Sequence, residues 1–406
     1  MKNKPDTTLI ILYILLMLIG WISIYSTKYY LGDFSIDSSY GLQLIWIGCS
    51  SFLGACVFFI DKRIYYNFAL YIYLFLNLLV LLVFFVGVER SGARSWLGIG
   101  GFGIQPAEFA KYGACLLMAR FTASRACDLT KVTHLLFAAI IILIPACLIL
   151  LQNDTGSAIP FLFLVFALFR EGLNRWIFFA GFLMIILFIL LLYMSHWIIL
   201  IITSSVFLLL IIYLIKKKRN IFQILMFYIF VAGYTFLADY AYDNVLQPHQ
   251  RKRIELVFGK IDDPKGIGYN VRQSKIAIGS GGLTGQGFGQ GTQTQLNFVP
   301  EQSTDFIFSA IGEEWGFIGC VSVILLYCIF IGRIIFLSEK KTDPFTRAYG
   351  YCIASMFFAH VAINIGMTIG LMPVIGIPLP LLSYGGSSLF ATTLMLFTFI
   401  NLKTKQ

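Results

Sequence analysis

Apolar runs of about 20 residues follow one another almost from end to end of this 406-residue chain. Each is long enough to cross the roughly 30 Å hydrocarbon core of a bilayer as a helix. Only helices and closed barrels satisfy their own backbone inside lipid, and these runs lack the alternation of a barrel strand. The balance of residues agrees: 58% are hydrophobic and 12% charged, against about 25% charged in average usage. The expected fold is therefore all-α, a polytopic helical bundle forming a single integral membrane domain over residues 1–406.

Hydropathy places about twelve transmembrane helices, near 8–27, 41–60, 66–88, 105–123, 132–151, 156–169, 176–195, 197–215, 221–239, 306–335, 346–371 and 383–402. The run 156–169 is short enough to lie tilted or partly re-entrant. The first apolar run is too long for a signal-peptide core and has no small-residue cleavage site, so it reads as an uncleaved span. A large extracytoplasmic loop is expected over 241–305.

Lysine and arginine set the orientation. With the N-terminus in the cytoplasm, 19 of the 30 cations fall at cytoplasmic ends, and every short connection there is basic. Both termini are then cytoplasmic. The run Lys216–Arg219 is a topological anchor, and no nucleic-acid partner is expected. Four outer cations, Lys28, Arg90, Arg94 and Lys111, are scattered. The other seven sit in the long loop: Arg251, Lys252, Arg253, Lys260, Lys265, Arg272 and Lys275. A basic loop outside the cell suits anions such as lipid phosphates, or is simply solvated.

Several chemistries drop out. Seven of the eight cysteines lie in apolar spans and Cys127 lies at a cytoplasmic turn, so no disulfide framework or zinc spacing is present. His134, His196, His249 and His360 are scattered singly and read as packing or interfacial residues. No Gly-Lys-Ser/Thr phosphate loop exists, so no nucleotide cofactor is expected.

Ionisable groups at membrane depth are costly and mark functional sites. Asp305 falls where the charged, glycine-rich loop meets a span, with Glu313 and Glu314 some two turns further in. Helix capping by Thr304 and Asp305 is the bland alternative, and it leaves Glu313 and Glu314 unaccounted for. Three outward-facing constellations accompany them. In the first, Arg94 and Trp96 precede Gln105-Pro-Ala-Glu-Phe-Ala-Lys111, where Pro106 suits a helix start. Glu108 and Lys111 there share one helix face, as an internal pair or as a polar site with a ligand. The second is the turn Gln152-Asn-Asp-Thr-Gly156, containing Asp154. The third is Gly279–Gly291, with seven glycines in thirteen residues, which lets a backbone approach a ligand closely or lets a loop move.

An enzyme working at the outer leaflet without nucleotide needs a substrate that carries its own activation. A sugar on a polyprenyl diphosphate fits, with an anionic leaving group, an apolar tail and an acceptor hydroxyl that needs a base. Asp305 is the candidate base, or alternatively the anchor of a divalent cation such as Mg or Mn.

The stretches Gly92-Ala-Arg-Ser-Trp96, Gln105-Pro-Ala-Glu108, Gln152 with Asp154 and Gly156, Gln273–Gly282, Gly291-Thr-Gln-Thr-Gln295, Pro300–Gly319 and Pro378–Ser387 together resemble the SEDS family (shape, elongation, division and sporulation). The Gly-Thr-Gln and Val-Pro-Glu-Gln features resemble its RodA branch more than its FtsW branch. The resemblance implies a peptidoglycan glycosyltransferase that polymerises lipid II at the outer face of the cytoplasmic membrane and releases undecaprenyl diphosphate. The implied partners are a class B penicillin-binding protein, which cross-links the strands, and other membrane proteins of the elongation complex. The family's essential aspartate falls on Asp305, its acidic and basic pair on Glu108 and Lys111, and its first-loop tryptophan on Trp96. Arg94, Asp154, Arg251, Arg272, Lys275, Glu301 and Ser383 complete the candidate substrate-binding set. Such proteins usually have about ten spans, so the three runs in 176–240 imply two inserted helices. Ser303 stands where a histidine is usual, and Asn153 where a proline is. A lipid flippase and a non-catalytic scaffold of the cell-wall complex are the alternative functions.

Overall fold

The computed structural model describes residues 6–28, 38–90, 93–99, 102–217, 221–261 and 266–404. Lys2, Lys4, Gly92, Lys218, Arg219, Lys265 and Lys405, and the side chains of Arg90 and His249, lie outside the described residues.

The first helices are α1 (Thr7–Ser26), α2 (Ser39–Val57), α3 (Lys62–Val86), α4 (Pro106–Thr122), α5 (Val132–Leu151), α6 (Thr155–Leu162) and α7 (Leu164–Arg170). Then come α8 (Arg175–Tyr193), α9 (His196–Lys216), α10 (Phe222–Asn244), α11 (Pro248–Val257), α12 (Ile267–Ser280) and α13 (Thr292–Gln295). The chain ends with α14 (Ile307–Glu339), α15 (Pro344–Thr368) and α16 (Gly386–Thr404). Each of the predicted apolar runs is helical, with 156–169 split into α6 and α7 at Phe163. Among the described residues, nine helices are long and apolar enough to cross a membrane: α1, α2, α3, α5, α8, α9, α10, α14 and α15.

Side chains stop and start these helices as the sequence suggests. Asp6, Ser38, Asp61 and Asp343 each accept a backbone N–H at a helix start. Pro106 occupies the first turn of α4, where its missing N–H costs nothing. Three short strands, β1 (Val88–Arg90), β2 (Ala93–Ile99) and β3 (Phe102–Ile104), pair in a small antiparallel sheet.

The chain divides into two compact units, Leu173–Gly268 and the remainder. In the larger unit α15 is the central element: it is buried along most of its length and packs on α4 and α14. Helix α4 approaches α3 closely because a Cβ on Gly113 would sit 3.2 Å from the Tyr73 Cα, the small-residue contact usual between membrane helices. In the smaller unit α8, α9 and α10 share a core of Leu187, Ile199 and Val231. His196 and Asp239 pair at 2.8 Å there.

The long loop is largely structured, since α10 runs on to Asn244 and α11, α12 and α13 all fall within 241–305. Helix α14 is not one continuous rod. Gly316 takes φ 64° and ψ −160°, a left-handed-side backbone open to glycine alone among common residues.

Candidate active site

Asp305 lies in a turn two residues before α14 and is half-buried. Its backbone carbonyl accepts a 2.8 Å hydrogen bond from Asn364 Nδ2, which also donates to the Ile377 carbonyl at 2.7 Å. Gly376 faces the carboxylate: a Cβ there would sit 3.2 Å from Asp305 Oδ2. The turn is shaped by Glu301, exposed and at φ 54°, whose Oε2 accepts from Thr304 Oγ1 at 3.0 Å. Ser383 is buried. It donates to the Thr304 carbonyl at 2.6 Å and accepts the Leu379 N–H at 2.8 Å, so it latches the 377–385 loop to the Asp305 turn. Tyr384 N–H adds a 2.8 Å bond to the Ser303 carbonyl.

Asp154 is built into the same region. Its Oδ1 caps α6 through Ser157 N–H at 3.0 Å, and its Oδ2 accepts from Gln105 at 2.8 Å and from the Ser157 hydroxyl at 2.9 Å. It therefore ties the start of α4 to the start of α6. Gly156, in the first turn, lets α6 rest against the carbonyls of Ile375 and Gly376, where a side chain would collide.

Glu108 and Lys111 form an internal pair at 2.6 Å, with residue exposures of 2% and 0%. Both face the protein interior, so a binding role by direct contact is not what this arrangement offers. Lys111 Nζ also lies 2.8 Å from His360 Nε2, a partner 249 residues away that sequence alone presents as a packing or interfacial residue. Nothing in the local sequence around His360 signals that contact.

The deeper carboxylates are structural. Glu313 accepts the N–H groups of Gln293 at 2.7 Å and Thr294 at 2.9 Å, satisfying the start of α13. Glu314 accepts from the Ser26 hydroxyl at 2.7 Å and from Gly289 N–H at 3.3 Å. The glycine-rich segment packs closely on α14. Where α14 breaks, Phe317 and Ile318 donate to the Gly282 and Leu283 carbonyls, and Gln286 and Gly287 donate to the Glu313 and Glu314 carbonyls. Gly281 and Gly285 permit this, because a Cβ on either would strike an α14 carbonyl.

The basic residues separate. Arg272 and Lys275 are exposed one turn apart on α12, and the Lys275 stem crosses Gly370. Arg251 belongs to the smaller unit, where it binds the Asp243 carbonyl and lies over the Tyr242 ring. Arg94 is exposed and Trp96 half-buried, both on β2. Among the described residues no three of His, Cys, Asp and Glu come together to cage a metal. A hard divalent cation here would rest on the Asp305 carboxylate and share substrate phosphates, the usual binding mode of magnesium.

The cell cycle protein family of FtsW, RodA and SpoVE matches residues 6–204 and 198–406. The chain is 32% identical to the peptidoglycan glycosyltransferase MrdB of Escherichia coli over 81% of its own length and 76% of that protein's. It is 31% identical to the peptidoglycan glycosyltransferase RodA of Treponema pallidum (99% and 98% covered) and 32% identical to stage V sporulation protein E of Bacillus subtilis (97% and 95%). Among solved structures it is similar to a chain of a peptidoglycan synthase complex described as coordinating polymerization and crosslinking, with TM-score 0.71, 26% identity and 98% of both chains covered. It is also similar to the rod shape determining protein RodA of Thermus thermophilus, with TM-score 0.64, 25% identity, and 98% of this chain and 97% of that one covered.

Proposed function

The chain belongs to the FtsW/RodA/SpoVE family of cell cycle proteins, and on that premise we infer that it is an integral membrane peptidoglycan glycosyltransferase that polymerises lipid II. We assign it to cell elongation and rod shape, on the Val-Pro-Glu-Gln stretch at 299–302 and the likeness to RodA proteins. Its partner in this reading is a class B penicillin-binding protein, with other elongation-complex membrane proteins around the pair. The likeness to a chain of a peptidoglycan synthase complex supports that reading.

One observation carries the mechanism. A half-buried carboxylate, Asp305, stands beside a glycine on a turn whose backbone is held from a second loop and from α15. Chain growth joins the hydroxyl of one lipid-linked sugar to the anomeric carbon of another while the lipid diphosphate leaves. Asp305 accepts the hydroxyl proton as the new glycosidic bond forms and the bond to the diphosphate breaks. A divalent cation, when bound, would sit on the same carboxylate and neutralise the leaving diphosphate. Arg272 and Lys275, exposed on α12, supply positive charge for that anion.

The reading places Asp305 extracytoplasmically and both termini in the cytoplasm. It is supported by the opposite end of the bundle, where Asp6 pairs with Arg333 at 2.9 Å and Lys403 at 2.8 Å beneath the basic connections. Two of α8, α9 and α10 are then additions to a ten-helix core. Glu313 and Glu314, the carboxylates a transbilayer path for a flippase would use, are both engaged in holding backbone. A bare scaffold has no use for a carboxylate presented as Asp305 is.

The test is Asp305→Asn in the purified, reconstituted protein. It keeps size and hydrogen bonding but removes the charge, so the variant should bind lipid II and lose about 10²–10⁴ in polymerisation rate. Substantial polymer from the folded variant would overturn the assignment and turn attention to the exposed Glu301.

A further inference from the structure

Two residues one turn apart on α15, His360 and Asn364, join groups that the chain keeps far apart. Lysine has three N–H donors and no acceptor, so His360 Nε2 must accept the 2.8 Å bond from Lys111. The imidazole proton is then on Nδ1, where it points to the Pro378 carbonyl at 3.3 Å. Asn364 lies on the same helix face and spends both amide hydrogens on the Ile377 and Asp305 carbonyls. One continuous set of contacts therefore runs from Glu108 through Lys111 and His360 to the 377–378 backbone, and from there through Asn364 to the turn bearing Asp305. Its members Lys111, His360 and Asn364 show 0%, 4% and 0% exposure.

We propose that the buried Glu108–Lys111–His360 cluster, together with Asn364, positions the Asp305 turn and the 377–385 loop, and that Glu108 and Lys111 serve the reaction in this way rather than by touching substrate. A flexible lysine stem is a poor ruler on its own. Pinned between Glu108 and an imidazole it becomes a fixed strut. His360 is the informative member, because its bonds to Lys111 and to the Pro378 carbonyl connect α4 to the loop. The inference rests on Asp305 being the catalytic carboxylate.

The test measures initial polymerisation rates against lipid II concentration for wild type, His360→Gln, His360→Met and Asp305→Asn, with thermal unfolding of each in detergent. Glutamine carries an acceptor near the position of Nε2 and an amide donor, so it can make both bonds; methionine fills the space and makes neither. We expect His360→Met to lose about 10–100-fold in kcat with KM little changed, the scale of an ångström-level displacement in an active site. His360→Gln should restore turnover to near wild type. Equal losses in the two variants would make the imidazole itself the acting group and overturn the proposal. So would wild-type turnover in folded His360→Met, or a raised KM at unchanged kcat, which would put the cluster on the substrate. Should His360→Met fail to fold, His360→Leu, which also makes neither bond, takes its place with the same outcomes deciding. Activity in Asp305→Asn would instead remove the underlying mechanism, whatever the His360 variants do.

Discussion

Replacing Glu313 by glutamine separates architecture from chemistry at the deeper carboxylates. Glu313 is fully buried and accepts two backbone N–H groups, from Gln293 at 2.7 Å and Thr294 at 2.9 Å. A hydrogen bond to a charged acceptor contributes about 1.5–3 kcal/mol, and a buried donor left without one costs about 1–3 kcal/mol. Glutamine keeps one carbonyl oxygen for one N–H and turns an amide NH₂ toward the other, so Glu313→Gln should cost about 2–4 kcal/mol. Alanine abandons both donors and should cost more. The assay is thermal unfolding of the full-length protein in detergent, followed by polymerisation below every unfolding midpoint and normalised to folded protein. Turnover per folded molecule should stay within about threefold of wild type, far from the 10²–10⁴ lost with a general base. A Glu313→Gln protein with an unchanged midpoint and no polymer would refute the structural role and make Glu313 part of the chemistry.

Two further outcomes follow from the charges. Neutralising exposed Arg272 and Lys275 together should raise KM for lipid II at low salt, with the difference shrinking as the Debye length falls below about 8 Å; an unchanged low-salt KM would return α12 to a merely solvated role. Burial alone would raise the Asp6 carboxyl, but hydrogen bonds from Arg333, Lys403 and the Leu9 N–H outweigh it and bring it from 3.8 down to about 2. A carboxyl lowered on folding stabilises above its unfolded pKa and loses that contribution as pH falls through its folded value. Asp6→Asn should therefore unfold earlier than wild type at neutral pH, and the gap, read by thermal melts, should close between pH 3.8 and about 2; a constant gap down to pH 2 would contradict the network.

The helices were legible because hydropathy is a local signal, and each predicted run is a helix. Pro106 at the start of α4 and the Glu108–Lys111 pair were legible for the same reason, since three-residue spacing puts side chains together within one turn. Contacts made across the fold were not. The Lys111–His360 bond spans 249 residues and the Asn364–Asp305 bond 59, and no periodicity encodes either. The glycine-rich segment was legible only in part. Glycine permits close backbone approach without saying to what, and here the approached surface is α14 itself. Glu313 and Glu314 looked like intramembrane charges because they lie within an apolar run, yet the break at Gly316 opens that run where their carboxylates meet backbone donors.

That break changes what α14 is as a mechanical part. A continuous α-helix transmits twist and axial displacement along its ladder of hydrogen bonds. At Gly316 the ladder is diverted, because the Phe317 and Ile318 amides bind the 282–283 carbonyls instead of the turn above them. The nine residues from 307 to 315, which begin beside Asp305, are thus splinted to the glycine strap, while the stretch from 317 to 339 runs on through the bilayer as a separate rod. No continuous run of helical hydrogen bonds therefore joins the 317–339 rod to the residues beside Asp305. The turn bearing Asp305 is thus fastened sideways, to the 282–287 backbone, and has no unbroken helical ladder beneath it.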